Sequence, residues 1–524
     1  MLDSCKDCEY TTCARLHSYA AKECKHSDGN PCQECVQLAN LDSQISQVHA
    51  QLVQLSHKRL ALQTKINQRH ALFFHRLPLS ISSKIFEEYV HQVHSDFDPM
   101  EASDSRHTRD WSPALFLSSI CVTWRKIAFA TSEIWRFINI PLQDNPDVDL
   151  KIKLLDECVE RSCQRTLFIG VFQFQLYENL LLEKKLDRLK PLFKVIKAIA
   201  CRSEEIRLWG VPLFAQQLVI PTNTPNLTTV RITDFIGDEG DDYNMPSNEF
   251  LSLSGPLLKN LEVGYGSNYL LMSCQIKWDT ITTVTMLTIP VGKAIDILRQ
   301  APCLTSCSFI FEDIYKSDQI SSNPPIVNLT LEKLHIDFFN CGLGSVKKFE
   351  SSVTLPSLRE LSLRTSKLLH IMPLFERSQC QLRTLTLSLY PSIPEDDVLT
   401  LLSILPSVEH FAVLINVAKP IITSKFFEGL CDHRFKLSGA STNPLLPKLT
   451  SLSYTGKKDF TWSAFLKIFP PPGNLLEAER PLSEVSLKLY LPEAVDLDVI
   501  AKLREIQQSK IKLVVTDTDG KDLF

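Results

Sequence analysis

Leu358-Arg359-Glu360-Leu361-Ser362-Leu363 is the stretch on which the fold turns. Its last three positions alternate apolar, polar, apolar, the period-two signature of a strand with one buried face. Pro356, two residues ahead, marks the turn that feeds it. The same L-x-x-L-x-L unit recurs as Leu227-Thr228-Thr229-Val230-Arg231-Ile232 and as Leu258-Lys259-Asn260-Leu261-Glu262-Val263. Further copies start at Ile281, Leu304, Leu331, Leu382, Val408, Leu449 and Leu482, and a weaker one ends Ile206-Arg207-Leu208. Starts are mostly 23 to 31 residues apart, stretching to 41 before Leu449. Helical runs such as Gly292 to Gln300 and Asp396 to Leu405 fill the intervals.

Strand then helix at this period resembles leucine-rich repeats, in which each unit stacks on the next and none is stable alone. The pattern departs from that family where its Asn ladder would stand, at Phe235, Ser366 and Tyr390. The resemblance implies an irregular leucine-rich-repeat-like solenoid over residues 201–524, an arc of parallel strands. A doubly wound α/β sheet is the alternative; it predicts reversals of strand order and usually a glycine-rich ligand turn. With 16 Gly in 524 residues and no G-x-G-x-x-G, the sequence counts against it. Alternation places Arg231, Glu262, Thr285, Ser308, His335, Ser362, Thr386, Ala412, Ser453 and Ser486 on the concave face. That row is short and mostly hydroxylic after Glu262, with His335 the one large exception. Arg231, His335, Arg364 and the loops leaving the strands are therefore the expected anchors for a target protein.

Working back toward the N-terminus, residues 143–200 form a bridging region with helix around Leu150 to Val159 and a buried strand at Thr166 to Phe172. A second helix covers Leu180 to Ala200, and Pro191 should kink or break it. Residues 73–142 carry Leu77-Pro78, then Ile85-Phe86, then Cys121-Val122-Thr123-Trp124-Arg125, then Trp135 ahead of Phe137-Ile138-Asn139-Ile140. Ile81, Ile85, Phe86 and Tyr89 fall at steps of three and four, one apolar helical stripe, and Leu117, Ile120, Cys121, Trp124, Ile127 and Ala128 form another. A polar interlude, His94 to Ser112, has the composition of a solvated loop. The order of these landmarks resembles an F-box, most closely the type abundant in higher fungi. The resemblance implies a trihelical module that docks on the adaptor subunit of a cullin–RING (SCF-type) ubiquitin ligase. The adaptor-facing side chains it implies are Leu77, Pro78, Ile81, Ile85, Phe86, Leu117, Ile120, Trp124 and Trp135. An ordinary helical bundle is the alternative.

Two segments remain. Over residues 37–72, Leu38, Leu41, Ile45, Val48, Leu52, Leu55, Leu62 and Ile66 keep alternating three- and four-residue steps, with Arg59 in the seam. This is an amphipathic helix, either an intramolecular strut or a coiled coil with a second copy; the Arg in the seam favours the strut. Residues 1–36 are Cys-rich: Cys5 and Cys8, then 23 residues, then Cys32 and Cys35 make two C-x2-C pairs suited to a structural zinc. Small apolar residues on a helix face are the alternative reading of the same cysteines. No other cofactor is expected.

The fold class expected from sequence is thus α then α/β: a helical F-box-like module followed by an irregular leucine-rich-repeat-like solenoid. A net charge of −4 argues against a nucleic-acid or anionic-membrane binder, and no run of eighteen apolar residues spans a bilayer. The first residues lack a secretory signal, so a reducing compartment, cytoplasmic or nuclear, is expected. No Walker loop, G-x-S-x-G elbow or H-E-x-x-H helix occurs, so no enzyme is expected. The expected role is a substrate receptor that joins adaptor and cullin to an unknown target protein. A repeat scaffold without ligase coupling is the alternative.

Overall fold

The computed structural model describes residues 33–70, 77–95, 112–142, 147–172, 179–211, 220, 224–233, 251–253, 255–264, 274–313, 325–390, 392–415, 422–431, 445–469, 481–490, 495–508 and 511–523. They belong to two compact units. One is drawn from Met1–Phe86 with Leu117–Ala130, the other from Glu87–Phe116 with Thr131–Phe524.

The larger unit is built on strands β1 (Phe137–Pro141), β2 (Leu167–Phe172), β3 (Ser203–Trp209), β4 (Thr229–Thr233), β5 (Leu251–Leu253), β6 (Asn260–Val263), β7 (Cys274–Ile276), β8 (Thr283–Ile289) and β9 (Ser306–Glu312). They continue as β10 (Ile326–Val327), β11 (Lys333–Asn340), β12 (Val353–Thr354), β13 (Glu360–Thr365), β14 (Thr384–Leu389), β15 (His410–Leu414), β16 (Ser451–Lys457), β17 (Glu484–Tyr490) and β18 (Lys512–Asp517). All but four form one 14-stranded sheet whose order follows the chain; β5 pairs with β7 and β10 with β12 in two small sheets. Every pairing in the large sheet is parallel, as in β11 against β13 or β16 against β17.

The expected architecture, a helical F-box-like module followed by a leucine-rich-repeat-like solenoid, is therefore corrected. The chain is of α/β type, a single large parallel sheet with helices, and that sheet does not begin at residue 201. β1 comes from the stretch assigned to the F-box-like module and β2 from the stretch assigned as a bridge; both pair in register, Phe137 opposite Phe168 through Pro141 opposite Phe172. β2 in turn pairs with β3. The physical reason is that these two strands are nearly continuous buried runs rather than alternating ones. A search for L-x-x-L-x-L does not see them, yet their backbone groups need ladder partners as much as any other buried strand's.

Within β3 to β18 the leucine unit does what its alternation dictates. β13, β14 and β15 alternate buried and half-exposed residues along their length. The turn ahead of several units repeats one hydrogen-bond pattern: the first apolar residue donates its N–H to the carbonyl three residues back, Leu258 to Gly255, Leu358 to Leu355, Val408 to Leu405 and Leu449 to Leu446. At the second position of each unit one carbonyl accepts two successive N–H groups of the next, as Thr282 does from Thr305 and Ser306, and Glu409 from Thr450 and Ser451. Hydroxyls reinforce the same ladder where the residue is Thr or Ser: Thr228 donates to Glu204, Thr282 to Lys259, Thr305 to Thr282, Thr450 to Glu409 and Ser483 to Thr450. No Asn ladder is needed to hold successive strands in register.

Helices return the chain between strands and cover the buried face. Val291–Gln300 buries Val291, Ala294, Ile295, Ile297 and Leu298, and Glu395–Ser403 buries Val398, Leu399, Leu401 and Leu402. Aromatic rings fill wider gaps, with Phe311, Phe338 and Phe349 in mutual contact and Phe427 against Phe460 and Phe465. Helix Asn179–Ala200 runs through Pro191, so of the kink or break expected there the break does not occur. Pro191 lies on the exposed side of that helix.

Helix Leu79–Ser95, which belongs to the smaller unit as far as Phe86, starts where Pro78 predicts, the Pro78 carbonyl accepting from Ile81 and Ser82. Helices Pro113–Ile120 and Val122–Ala130 follow, and the Phe86 and Trp124 rings meet at 5.1 Å. The amphipathic helix spans Gln33–His70.

Candidate functional site

The outward face of the large sheet gathers the polar side chains. Ladder register aligns Arg207, Arg231, Glu262, Thr285, Ser308, His335, Ser362, Thr386, Ala412, Ser453 and Ser486 as one continuous row across the strands. Two islands of charge on this face flank strands with short hydroxyl side chains, and a separate Lys512–Glu484 pair at 2.7 Å stands on β17 and β18.

The first island stands on β1 to β4 and β6. Phe137 and Phe168 stack at 4.7 Å, and the His94 ring packs 4.8 Å from the first and 5.2 Å from the second. His94 belongs to the last turn of helix Leu79–Ser95, so it is not part of a solvated loop as the polar composition suggested; the apolar rings of β1 and β2 hold it. Residues 96–111 lie outside the described residues. Burial lowers the His94 imidazole, outweighing the opposing pull of Glu205. Glu205 accepts from Arg207 Nε at 2.6 Å and pairs with Arg231 Nε at 3.1 Å, while His94 Nε2 lies 3.7 Å away, beyond hydrogen-bond length. Burial alone would raise this carboxyl. The His94 ring and, more strongly given those distances, the two guanidinium groups pull it down to about 2. Arg207 also donates to the His94 carbonyl at 3.1 Å, and Arg231 reaches Glu262 at 3.4 Å. At the rim Arg136 lies 4.5 Å over the Phe168 ring and bonds Glu133 and Glu204, each at 2.7 Å.

The second island stands on β11, β13 and the end of β14. Asp337 follows His335 by two residues, so both face outward. Arg364 pairs with Asp337 at 3.2 Å and lies 5.5 Å from the Tyr390 ring centroid. Burial lowers the His335 imidazole against the opposing pull of Asp337.

These placements refine each expected site residue. Arg231, His335 and Arg364 do face outward, but the structure does not bring them together: Arg231 belongs to the first island, the other two to the second. Of the nine adaptor-facing residues, Pro78, Ile81, Ile85 and Ile120 are exposed and Leu77 and Trp124 half-buried. Phe86, Leu117 and Trp135 are 1%, 3% and 0% exposed, so they are core residues with no side-chain surface for a partner. The helical period that marked their face as apolar does not say which part of that face the chain itself covers. Leu79 and Val122 are exposed apolar residues of the same unit that the motif passed over. Glu205, Arg207 and Asp337 were missed as well. The alternation that selected Arg231 and His335 reaches all three when extended by one strand or by two residues.

Cys5, Cys8 and Cys32 lie outside the described residues, and Cys35 stands in the first turn of helix Gln33–His70. Among the described residues no group of three or more His, Cys, Asp or Glu side chains is placed to hold a metal ion. Among them too, no helix is long and apolar enough to cross a membrane. In comparison with known proteins, no family model matches the chain and no curated protein matches it.

Proposed function

We propose that the protein is the substrate-receptor subunit of an SCF-type ubiquitin ligase, holding the adaptor and cullin with its smaller unit and a target protein on the outward face of the sheet. The observation that carries this reading is the exposed apolar set Leu79, Ile81, Ile85, Ile120 and Val122, each more than a third exposed, beside the ordered Leu-Pro, Ile-Phe and Trp-Arg landmarks. Apolar side chains clustered in one small unit favour burial against a partner. The protein itself breaks no bond in this role; bringing target and ligase together raises their effective concentration. On the target side, the charged islands around Arg231 and around His335 and Arg364 supply the large polar anchors, and the hydroxylic strands between them supply few.

Affinity capture of the full chain tests the adaptor half. The wild type should recover adaptor and cullin together, and Ile81→Asp with Ile85→Asp should lose both while amide exchange in β8 to β18 stays unchanged. Adaptor retained by that double variant refutes the assignment. A scaffold without ligase coupling is the second reading, favoured by the burial of Phe86, Leu117 and Trp135. It is supported if the wild type recovers a target and no adaptor. For the target half, Ala at Arg231, His335 and Arg364 should weaken capture more than bulky substitutions at Ser362 and Thr386.

A further inference from the structure

We propose that helix Gln33–His70 is a self-association element, pairing antiparallel with the same helix of a second copy of this chain. Its apolar seam, expected to lie against the rest of the chain as a strut, is covered by none of the described residues. Leu38, Leu41, Ile45, Val48, Leu52, Leu55, Leu62 and Ile66 are each 53% to 64% exposed, and every other residue from Val36 to Ile66 is exposed too. A lone helix in water gains little from propensity alone, and its stability comes from packing an apolar face. The seam keeps its three- and four-residue steps over the length of the helix, the spacing that lets one helix interlock with another of the same sequence.

Charge along the helix selects the orientation. Glu34 and Asp42 lie in its first part, and Lys58, Arg59 and Lys65 in its second. A parallel pair in register would set Arg59 against Arg59 of the second copy inside the seam, a like-charge contact. An antiparallel pair avoids it. With Leu41 facing Arg59 of the second copy, Leu38 faces Leu62, Ile45 faces Leu55 and Val48 faces Leu52. Asp42, beside Leu41, then borders the Arg59 guanidinium. The arginine that interrupts the seam thus gains a carboxylate partner, and every other layer between Leu38 and Leu62 is apolar. Within one helix Asp42 and Arg59 are too far apart to meet, so only a second copy brings this complementarity into use.

Sedimentation velocity on the full chain, over a wide concentration series, tests this. A reversible dimer is expected. Ile45→Asp with Leu52→Asp should weaken it at least about a hundredfold, because each copy would bury carboxylates in the seam. Asp42→Arg alone should weaken it roughly tenfold, since two-fold symmetry repeats the contact. Asp42→Arg with Arg59→Asp should restore it. Asp42 and Arg59 are both exposed in the single chain, so neither change disturbs its own fold. A monomer at every concentration overturns the proposal, and so does a dimer indifferent to Ile45 and Leu52. A dimer in which the charge reversal fails to rescue Asp42→Arg overturns the antiparallel pairing.

Discussion

Glu205→Gln is the perturbation that the first charged island makes most informative. The substitution keeps the shape of the side chain and removes its charge, leaving the Arg207 and Arg231 guanidiniums without their carboxylate. The Glu205 carboxyl lies at about 2, against an ordinary value of 4.5. That gap corresponds to about 3 kcal/mol of stabilisation at neutral pH. Arg231 is 45% exposed, and solvent screening reduces the working figure to about 2 kcal/mol. The sign follows from the direction of the shift. A carboxyl held below its unfolded value contributes fully above pH 4.5, and the contribution fades as pH falls toward 2. A chain of this size need not unfold in one step, so the readout is local: amide exchange in β3 and β4 of wild type and variant across that pH range. Protection should differ by roughly thirtyfold at pH 7, less than half as much in free energy at pH 3, by no more than about twofold at pH 2, and not at all near pH 1. Equal protection at pH 7, or a difference that persists unchanged to pH 2, would refute the assignment of those guanidiniums as the cause.

Two further substitutions test packing. Gly170 sits on β2 between Asn139 and Arg207, where an added Cβ would lie 2.3 Å from the Phe172 ring and 2.9 Å from the Asn139 side-chain oxygen. Gly170→Ala should therefore cost about 1–3 kcal/mol, seen as faster exchange in β1 and β2. Asn328 is buried; it donates to the Leu298 carbonyl at 3.2 Å and accepts from the Thr330 and Leu331 N–H groups at 3.1 and 2.9 Å. Asn328→Leu strands those backbone groups and should lower stability by roughly 1–3 kcal/mol, checked by the thermal midpoint and by exchange at the start of β11.

Much of this molecule is legible in the order of its residues. Leu361 and Leu363 are buried and Ser362 is not because a pleated strand sends alternate side chains to opposite faces, and that periodicity needs no knowledge of neighbours. The same rule picked out the row from Arg231 to Ser486. Local chemistry also placed the start of helix Leu79–Ser95 at Pro78 and the amphipathic stripe from Leu38 to Ile66.

What the sequence could not set is everything that depends on which element meets which. The runs Phe137–Pro141 and Leu167–Phe172 are buried on both faces along almost their whole length, so no period announces their partners. Only backbone pairing enrolled them in the sheet and made it one of 14 strands. Phe86 and Ile85 are adjacent and equally apolar, yet one is buried and the other exposed, a division made by the ring of Trp124 packing on Phe86. His94 reads as a polar loop residue until the stacked rings of Phe137 and Phe168 surround it, and Glu205 as an ordinary carboxylate until Arg207 and Arg231 reach it. Periodicity is a property of one segment and is written in its residues; burial and charge pairing are properties of two, and exist only once the chain has brought them together.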